Sequence, residues 1–362
     1  MLSVAGGWRP CQAASHRAIS SKRPRDPSGF VSWGSRSLAA LAAPLSWLGR
    51  LLSRARSTLI SDIAMVFVMG KISQSYVAMS IDNDVRRISF LYGAMHYHRA
   101  MTIQDRAQWE ILVGAWLRDV AVAGTFLTSL PFRPTPPVDM ADLGSAARVF
   151  PLIGLVVGVT GGGALWLAGQ VGLQPMVCAI IGLAATAWVT GALHEDGLAD
   201  FVDGIGARDQ TRRLAIMRDS RIGTFGVLAL IFSMGLKVAL LAGLLGPGLM
   251  AVALIGAAAA SRGVMPVLMF GLTPARADGL GRDAGRPTTL EMGTAAAFSI
   301  SILFILFDWR PTLLALALVL ISTAVLGWLA QRRLGGYTGD VLGAAQQVAE
   351  VCILIAAGAY AI

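Results

Sequence analysis

Charge is the scarcest property of this 362-residue chain: Asp, Glu, Lys and Arg make up 14% of it, against 55% hydrophobic residues. Ordinary globular domains carry roughly 25% charged residues. A chain this poor in charge lacks the polar surface that a water-soluble fold needs, so much of it must face lipid. Cysteine is thin as well. Cys11, Cys178 and Cys352 stand apart without CxxC or Cys/His spacing, which argues against a disulfide framework and against a zinc site. Beyond residue 100, histidine is reduced to His194, which makes a Ser–His–Asp hydrolase a poor reading.

Acidic residues are missing where basic ones gather. Residues 1–100 hold 13 Lys and Arg against four Asp, whereas residues 101–362 hold 17 residues of each sign, so the net charge of +9 belongs to the first hundred alone. The remainder has no basic nucleic-acid footprint, and no nucleic-acid partner is expected. Residues 1–100 are Arg- and Ser-rich with no strong apolar span. They are expected to be a basic extension, either disordered or upstream of the natural start, with Met101 opening the stretch MTIQDRAQWEILV. Residues 101–362 then form the integral-membrane catalytic domain.

From residue 149 onward, long apolar stretches alternate with short polar ones. Seven spans are expected near 150–171, 176–193, 224–246, 250–272, 291–307, 312–330 and 341–362, most of them close to the ~20 apolar residues that cross a bilayer as a helix. Ahead of them, residues 108–130 are apolar but interrupted by Arg118 and Asp119, which suits a helix lying in the interface. The fold class is therefore all-α: a polytopic transmembrane bundle with an interfacial N-terminal helix. Arg is concentrated in the loops 194–223, 274–290 and 331–340, and the alternate connections carry only Arg310. By the positive-inside rule these three loops are expected on the cytoplasmic side of the membrane.

The loop after the second span carries the densest chemistry. GALHEDGLADFVDGIGARDQTRRLAIMRDSRIGTFG (191–226) places Glu195, Asp196, Asp200 and Asp203 within nine residues. In a helix, Asp196, Asp200 and Asp203 follow i, i+4, i+7 spacing and share one face. Carboxylates that close repel one another unless a cation lies between them, and hard oxygen ligands select Mg²⁺ or Mn²⁺. A solvated acidic loop is the plainer alternative. Arg218 and Arg221, in RDSRIGTFG, suit bidentate contact with phosphate oxygens, while Arg212 and Arg213 also fit a purely topological role. A second glycine-rich stretch, GGYTGDVLGA (335–344), opens the last span. Thr338 and Gly339 there make an anion-binding helix start, and Asp340 a further metal or nucleophile-orienting group. Within the spans, Lys237, Arg262 and Glu350 mark a protein interior or a polar cavity, because lipid does not tolerate them.

Four blocks, FPLIGLVVG (150–158), TGALHEDGLADFVDGIGARD (190–209), RLAIMRDSRIGTFGVLAL (213–230) and GGYTGDVLGA (335–344), resemble those of the cobalamin synthase family, the adenosylcobinamide-GDP ribazoletransferases. The resemblance runs from about residue 110 to the end, in the family's order, and leaves residues 1–100 without a counterpart. It implies a Mg²⁺-dependent transfer joining adenosylcobinamide-GDP to α-ribazole or its 5′-phosphate, with release of GMP, at the end of vitamin B12 biosynthesis. Asp196, Asp200 and Asp203 are then the expected metal ligands, with Asp200, Asp203 and Asp340 catalytic. Arg218, Arg221, Thr338 and Gly339 are expected on the substrate phosphates. A homo-oligomer or a complex with other late B12 enzymes is compatible with this reading. Two other classes remain open: a phospholipid-type alcohol phosphotransferase, whose Asp–x–x–Asp–Gly–x–x–Ala–Arg pattern is not met at Ala199–Asp200, and a transporter lined by Lys237, Arg262 and Glu350.

Overall fold

The computed structural model describes residues 103–360, except residues 133, 135, 136, 138, 140 and 277–279. The expected basic extension over residues 1–100 lies outside the described residues. Helix α1 runs over Ile103–Leu127, and a short turn, Asp142–Ala146, leads through Ala147–Val149 into α2, Phe150–Gln170. There follow α3 (Pro175–Thr190), α4 (Leu193–Ile205), α5 (Gln210–Ile216), α6 (Thr224–Ala242), α7 (Pro247–Ser261), α8 (Val264–Gly271), α9 (Thr289–Leu306), α10 (Trp309–Leu334) and α11 (Gly339–Ala359). Among the described residues there is no strand beyond one isolated bridge, Pro274 to Tyr337.

The chain punctuates these helices with ordinary local chemistry. Proline opens α2, α3 and α7 in the first turn, where its missing N–H costs nothing. Thr288 and Glu291 form a capping box at the start of α9. Gly335, with φ +77°, ends α10, whose last turn carries Arg332 and Arg333 against the negative end of the helix dipole.

Among the described residues, six helical segments are long and apolar enough to cross a membrane: Asp142–Gln170, Thr224–Ala242, Pro247–Gly271, Thr289–Leu306, Trp309–Leu334 and Gly339–Ala359. The expected second span differs from its sequence reading. It stops at Thr190, and α4 leaves α3 at 89°, so the pair makes a seventh span only as a broken one. Gly191 (φ +61°) and Ala192 (φ +56°) both adopt the left-handed conformation and make this corner. For alanine that conformation costs about 1–2 kcal/mol, so the corner is held by its surroundings. Ser129, just past α1, supports it by donating its backbone N–H to the Val189 carbonyl at 2.7 Å.

Helices α7 and α11 form the buried centre, whereas α6, α9 and α10 are peripheral and turn Phe225, Phe232, Leu320, Ile321 and Val325 outward. Glycine lets α2 press onto α7. A Cβ on Gly154 would stand 2.5 Å from the Ala258 carbonyl oxygen, and one on Gly158 2.7 Å from Ile255 Cα. In lipid such close backbone packing replaces the hydrophobic drive that water supplies to soluble bundles. Helix α1 is not one of the six apolar segments, and the two charges that interrupt its apolar run are paired: Arg118 with Asp142 at 2.6 Å and Asp119 with Arg148 at 2.5 Å.

Candidate active site

The acidic block is helical, as its spacing predicts, and the corner at Gly191–Ala192 turns it across the ends of the spans. Helix α4 crosses the start of α11 at two glycines. A Cβ on Gly197 would lie 3.2 Å from Asp340 Cα, and one on Gly343 would lie 3.2 Å from the His194 carbonyl oxygen. Any larger side chain at this crossing would push Asp196 and Asp200 away from Asp340. The Asp200 carboxyl, outside the spans and half-buried, is pushed up to about 6, first by burial and then by the charges of Asp196, Asp340 and Asp203, with Arg276 opposing. Residues 140 positions apart thus share one acidic mouth.

At the start of α11, Thr338 is the N-cap. Its hydroxyl accepts from Val341 N at 3.3 Å and donates to Asp340 Oδ2 at 3.1 Å. Gly339 has no atom within 4 Å of where a Cβ would stand, so the first turn of α11 is open to the close approach of a ligand.

Asp203 lies on the same face of α4 but has a different set of contacts. Its Oδ2 accepts from Gly223 N at 2.7 Å and its Oδ1 from Gly226 N at 2.8 Å, so it caps α6 from another helix. The two glycines are what admit it: a Cβ on Gly226 would stand 2.3 Å from Asp203 Oδ2. Asp203→Ala leaves two amide hydrogens without acceptors, and we expect a loss of about 2–3 kcal/mol, since hydrogen bonds to charged groups contribute most. Thermal unfolding in detergent measures it. Asp203→Asn should fall between alanine and wild type, because one oxygen survives while its NH₂ meets an N–H donor. An Asp203→Ala midpoint equal to wild type would mean the cap is not structural.

The arginines predicted to meet phosphate separate in space. Arg221 is 86% exposed and bonded to Asp219 at 2.6 Å, and this pair holds the Asp219 carboxyl below the usual range. Arg218 instead lines a cavity of about 710 Å³ with Gln210, Thr211, Leu214, Ala275 and Arg276. Helix α5 is moored beside it: Gln210 donates to the Leu334 carbonyl at 2.6 Å and Arg213 to the Arg333 carbonyl at 3.0 Å. Arg213, read from sequence as topological, therefore caps the C-terminal end of α10.

Arg276 is the site residue that the sequence did not reveal, because nothing in its spacing distinguishes it from the other loop arginines. A two-bond ladder brings it in: Ala275 N donates to Tyr337 O at 2.8 Å and Tyr337 N to Thr273 O at 2.9 Å. Arg276 then lies 3.8 Å from Asp340 Oδ2 and donates to the Leu214 carbonyl at 3.0 Å. All three Arg-rich loops therefore meet at one end of the bundle.

Beneath the mouth, on the side of α4 away from Asp196, lies a sealed polar network. Lys237 donates to Glu350 at 2.9 Å and to Gln347 at 2.7 Å, and Gln347 donates to Glu195 at 3.0 Å. Gln346 joins Ser261 to Glu350, at 2.8 and 3.2 Å, while Arg262 donates to the Ala258 carbonyl at 2.5 Å. Lys237, Arg262 and Glu350 are all buried. They bind one another and neighbouring backbone instead of lining an open path. His194 is buried with them, which puts it on the opposite side of α4 from the acidic face.

Among the described residues no three His, Cys, Asp or Glu side chains stand close enough to hold one ion together. A closed cage of the zinc type does not fit such a donor set. Asp196 and Asp200, one turn apart on α4, are hard oxygen donors, the type that Mg²⁺ accepts when water and phosphate oxygens complete its octahedron.

The chain matches the cobalamin-5-phosphate synthase family over residues 119–358. Among curated proteins it is similar to the adenosylcobinamide-GDP ribazoletransferase of Bradyrhizobium diazoefficiens, with 42% identity over 247 residues, 67% of this chain and 94% of that protein. The protein of the same name from Brucella anthropi is 42% identical over 258 residues, 68% of this chain and 97% of the relative. That from Azorhizobium caulinodans is 40% identical over 255 residues, again 68% and 97%. No solved structure matches.

Proposed function

The chain belongs to the cobalamin-5-phosphate synthase family, and on that footing we propose that it is an adenosylcobinamide-GDP ribazoletransferase. It joins adenosylcobinamide-GDP to α-ribazole, or to α-ribazole 5′-phosphate, and releases GMP. The observation that carries this reading is the meeting of Asp196, Asp200 and Asp340 with an open helix start and with Arg276 and Arg218 at one end of the bundle.

In the reaction a ribazole hydroxyl oxygen forms a bond to the phosphorus that carries cobinamide. The bond from that phosphorus to the bridging oxygen breaks, GMP leaves with the electron pair, and the hydroxyl proton passes to a carboxylate or to water. The open amides of α11 at Gly339, with the Thr338 cap, receive phosphate oxygens. Asp340, held between Thr338 and Arg276, orients the attacking hydroxyl. Arg218 and Arg276 face the charge that grows on the departing phosphate, and Arg221 can join them by leaving its exposed pair with Asp219. Asp196 and Asp200 are the residues that would hold Mg²⁺, and Asp203 fixes α4 against the RIGTFG segment. When bound, the ion would supply counter-charge to the pyrophosphate.

The Arg-rich end lies in the cytoplasm of a bacterial inner membrane. One experiment tests activity and sidedness together: membrane vesicles receive adenosylcobinamide-GDP, α-ribazole and Mg²⁺ from outside, and GMP and a cobalamin product are measured. Inside-out vesicles should turn over at once, right-side-out vesicles only after permeabilisation. No cobalamin product in either preparation would end the assignment, and turnover in intact right-side-out vesicles would reverse the orientation.

A further inference from the structure

We propose that the cavity between α5 and the 273–276 segment seats the nucleoside monophosphate half of the substrate, with Arg276 as the binding residue at its inner edge. The proposal rests on the transferase reading and adds to it which end of the substrate lies where. Size is the first argument. The cavity holds about 710 Å³, within the range of about 300–1,000 Å³ typical of small-molecule sites. A nucleotide fits that space, whereas a corrin with its peripheral amides does not.

Charge is the second argument. Arg218 and Arg276 line the cavity and no carboxylate does, while Asp340, which does not line it, stands 3.8 Å from Arg276 and raises the Asp200 carboxyl together with Asp196. An anion is therefore favoured within the cavity and a cation beyond it. Arg276, 3.8 Å from Asp340 Oδ2, stands at the boundary. A pyrophosphate crossing that boundary has its cobinamide-bearing phosphorus among the carboxylates and its leaving phosphate among the arginines. The walls agree with this orientation: Leu214, Ala215 and Ala275 offer apolar faces for a flat base, and the exposed Thr211 adds a hydroxyl-bearing residue to the lining. Unphosphorylated α-ribazole is neutral and gains little from two guanidinium groups.

The test uses purified full-length protein in detergent with GMP as the probe, in wild type, Arg276→Gln, Arg276→Lys and Ala215→Glu. Ala215 is exposed on α5, so a glutamate there puts a negative charge into the cavity without disturbing the core. We expect GMP binding, and GMP inhibition of turnover, to weaken roughly tenfold or more in Arg276→Gln and Ala215→Glu, the size of one lost charge-assisted hydrogen bond. Arg276→Lys should recover part of it. In Ala215→Glu, which leaves Asp340 and its partners untouched, the KM for α-ribazole should stay within about twofold, while that for adenosylcobinamide-GDP rises with the GMP constant. GMP binding unchanged in Ala215→Glu, or a loss falling on α-ribazole 5′-phosphate instead, would overturn the proposal. A wild type that makes cobalamin but binds GMP no better than Ala215→Glu overturns the cavity assignment alone. A wild type that binds GMP in an Arg276-dependent way but makes no cobalamin overturns the transferase reading and leaves the nucleotide seat standing.

Discussion

Asp200→Asn should cut turnover by roughly 100-fold or more while leaving the substrate-free protein as stable as wild type or more so. Asparagine keeps the size of the side chain and one acceptor oxygen, so the packing of α4 survives. It removes one negative charge from a group in which Asp196, Asp340 and Asp203 all raise the Asp200 carboxyl. If these carboxylates are only a solvated face, relieving their repulsion is neutral or stabilising and activity does not change. If they gather counter-charge for a pyrophosphate, the rate should fall by roughly 100-fold or more, because losing one preorganised electrostatic contact at the transition state costs about 3–4 kcal/mol. Raising Mg²⁺ should recover part of the loss by mass action.

The stability arm has a defined pH window. Burial and acidic neighbours raise the folded carboxyl to about 6 from its ordinary 3.8, so the folded state holds this proton more tightly than the unfolded state. Stability from this group is complete below the lower value and is lost as pH rises through the upper one. The advantage of Asp200→Asn over wild type, measured as a thermal midpoint without divalent ions, should therefore be present above pH 6 and vanish towards pH 4. GMP release across a Mg²⁺ series, in membranes matched for protein content, is the companion measurement. Wild-type release by Asp200→Asn at limiting Mg²⁺ would take Asp200 out of the site.

Removing either member of the buried pair Lys237–Glu350 should be among the most damaging single changes in the protein. The pair is 2.9 Å apart with side chains 1% and 5% exposed, and Gln346 and Gln347 complete its hydrogen bonds. Glu350→Gln preserves shape but leaves the buried Lys237 ammonium without its counter-charge. Breaking a buried pair in this way typically costs about 3–5 kcal/mol, whereas replacing both members by neutral groups is often tolerated. We therefore expect Lys237→Met and Glu350→Gln each to lower unfolding free energy in mixed micelles by that amount, and the double variant to recover most of the loss. Additive losses in the double variant would show that the two residues are not coupled. Activity should follow stability. Through Gln347 the pair also holds Glu195 on α4, so the same network that balances buried charge anchors the helix that presents Asp196 and Asp200.

Membrane character, the helical class and the acidic stripe were decided by the sequence alone. Each is a local property: hydropathy over about 20 residues sets a span, and i, i+4 spacing sets a helix face. The Arg bias of alternate loops likewise anticipated that three separate loops would share one end of the bundle. What the sequence could not reveal is which distant residues complete the site. Asp203 looks like Asp196 and Asp200 by spacing, yet the glycines at 223 and 226 turn it into a cap. Arg276 looks like a topological charge until the short ladder with Tyr337 sets it against Asp340. Lys237 meets Glu350 across 113 residues, and Gln347 meets Glu195 across 152. Such pairings carry no periodic signal, because they arise where helices cross and where glycine lets backbones touch, and only the packed bundle determines those crossings.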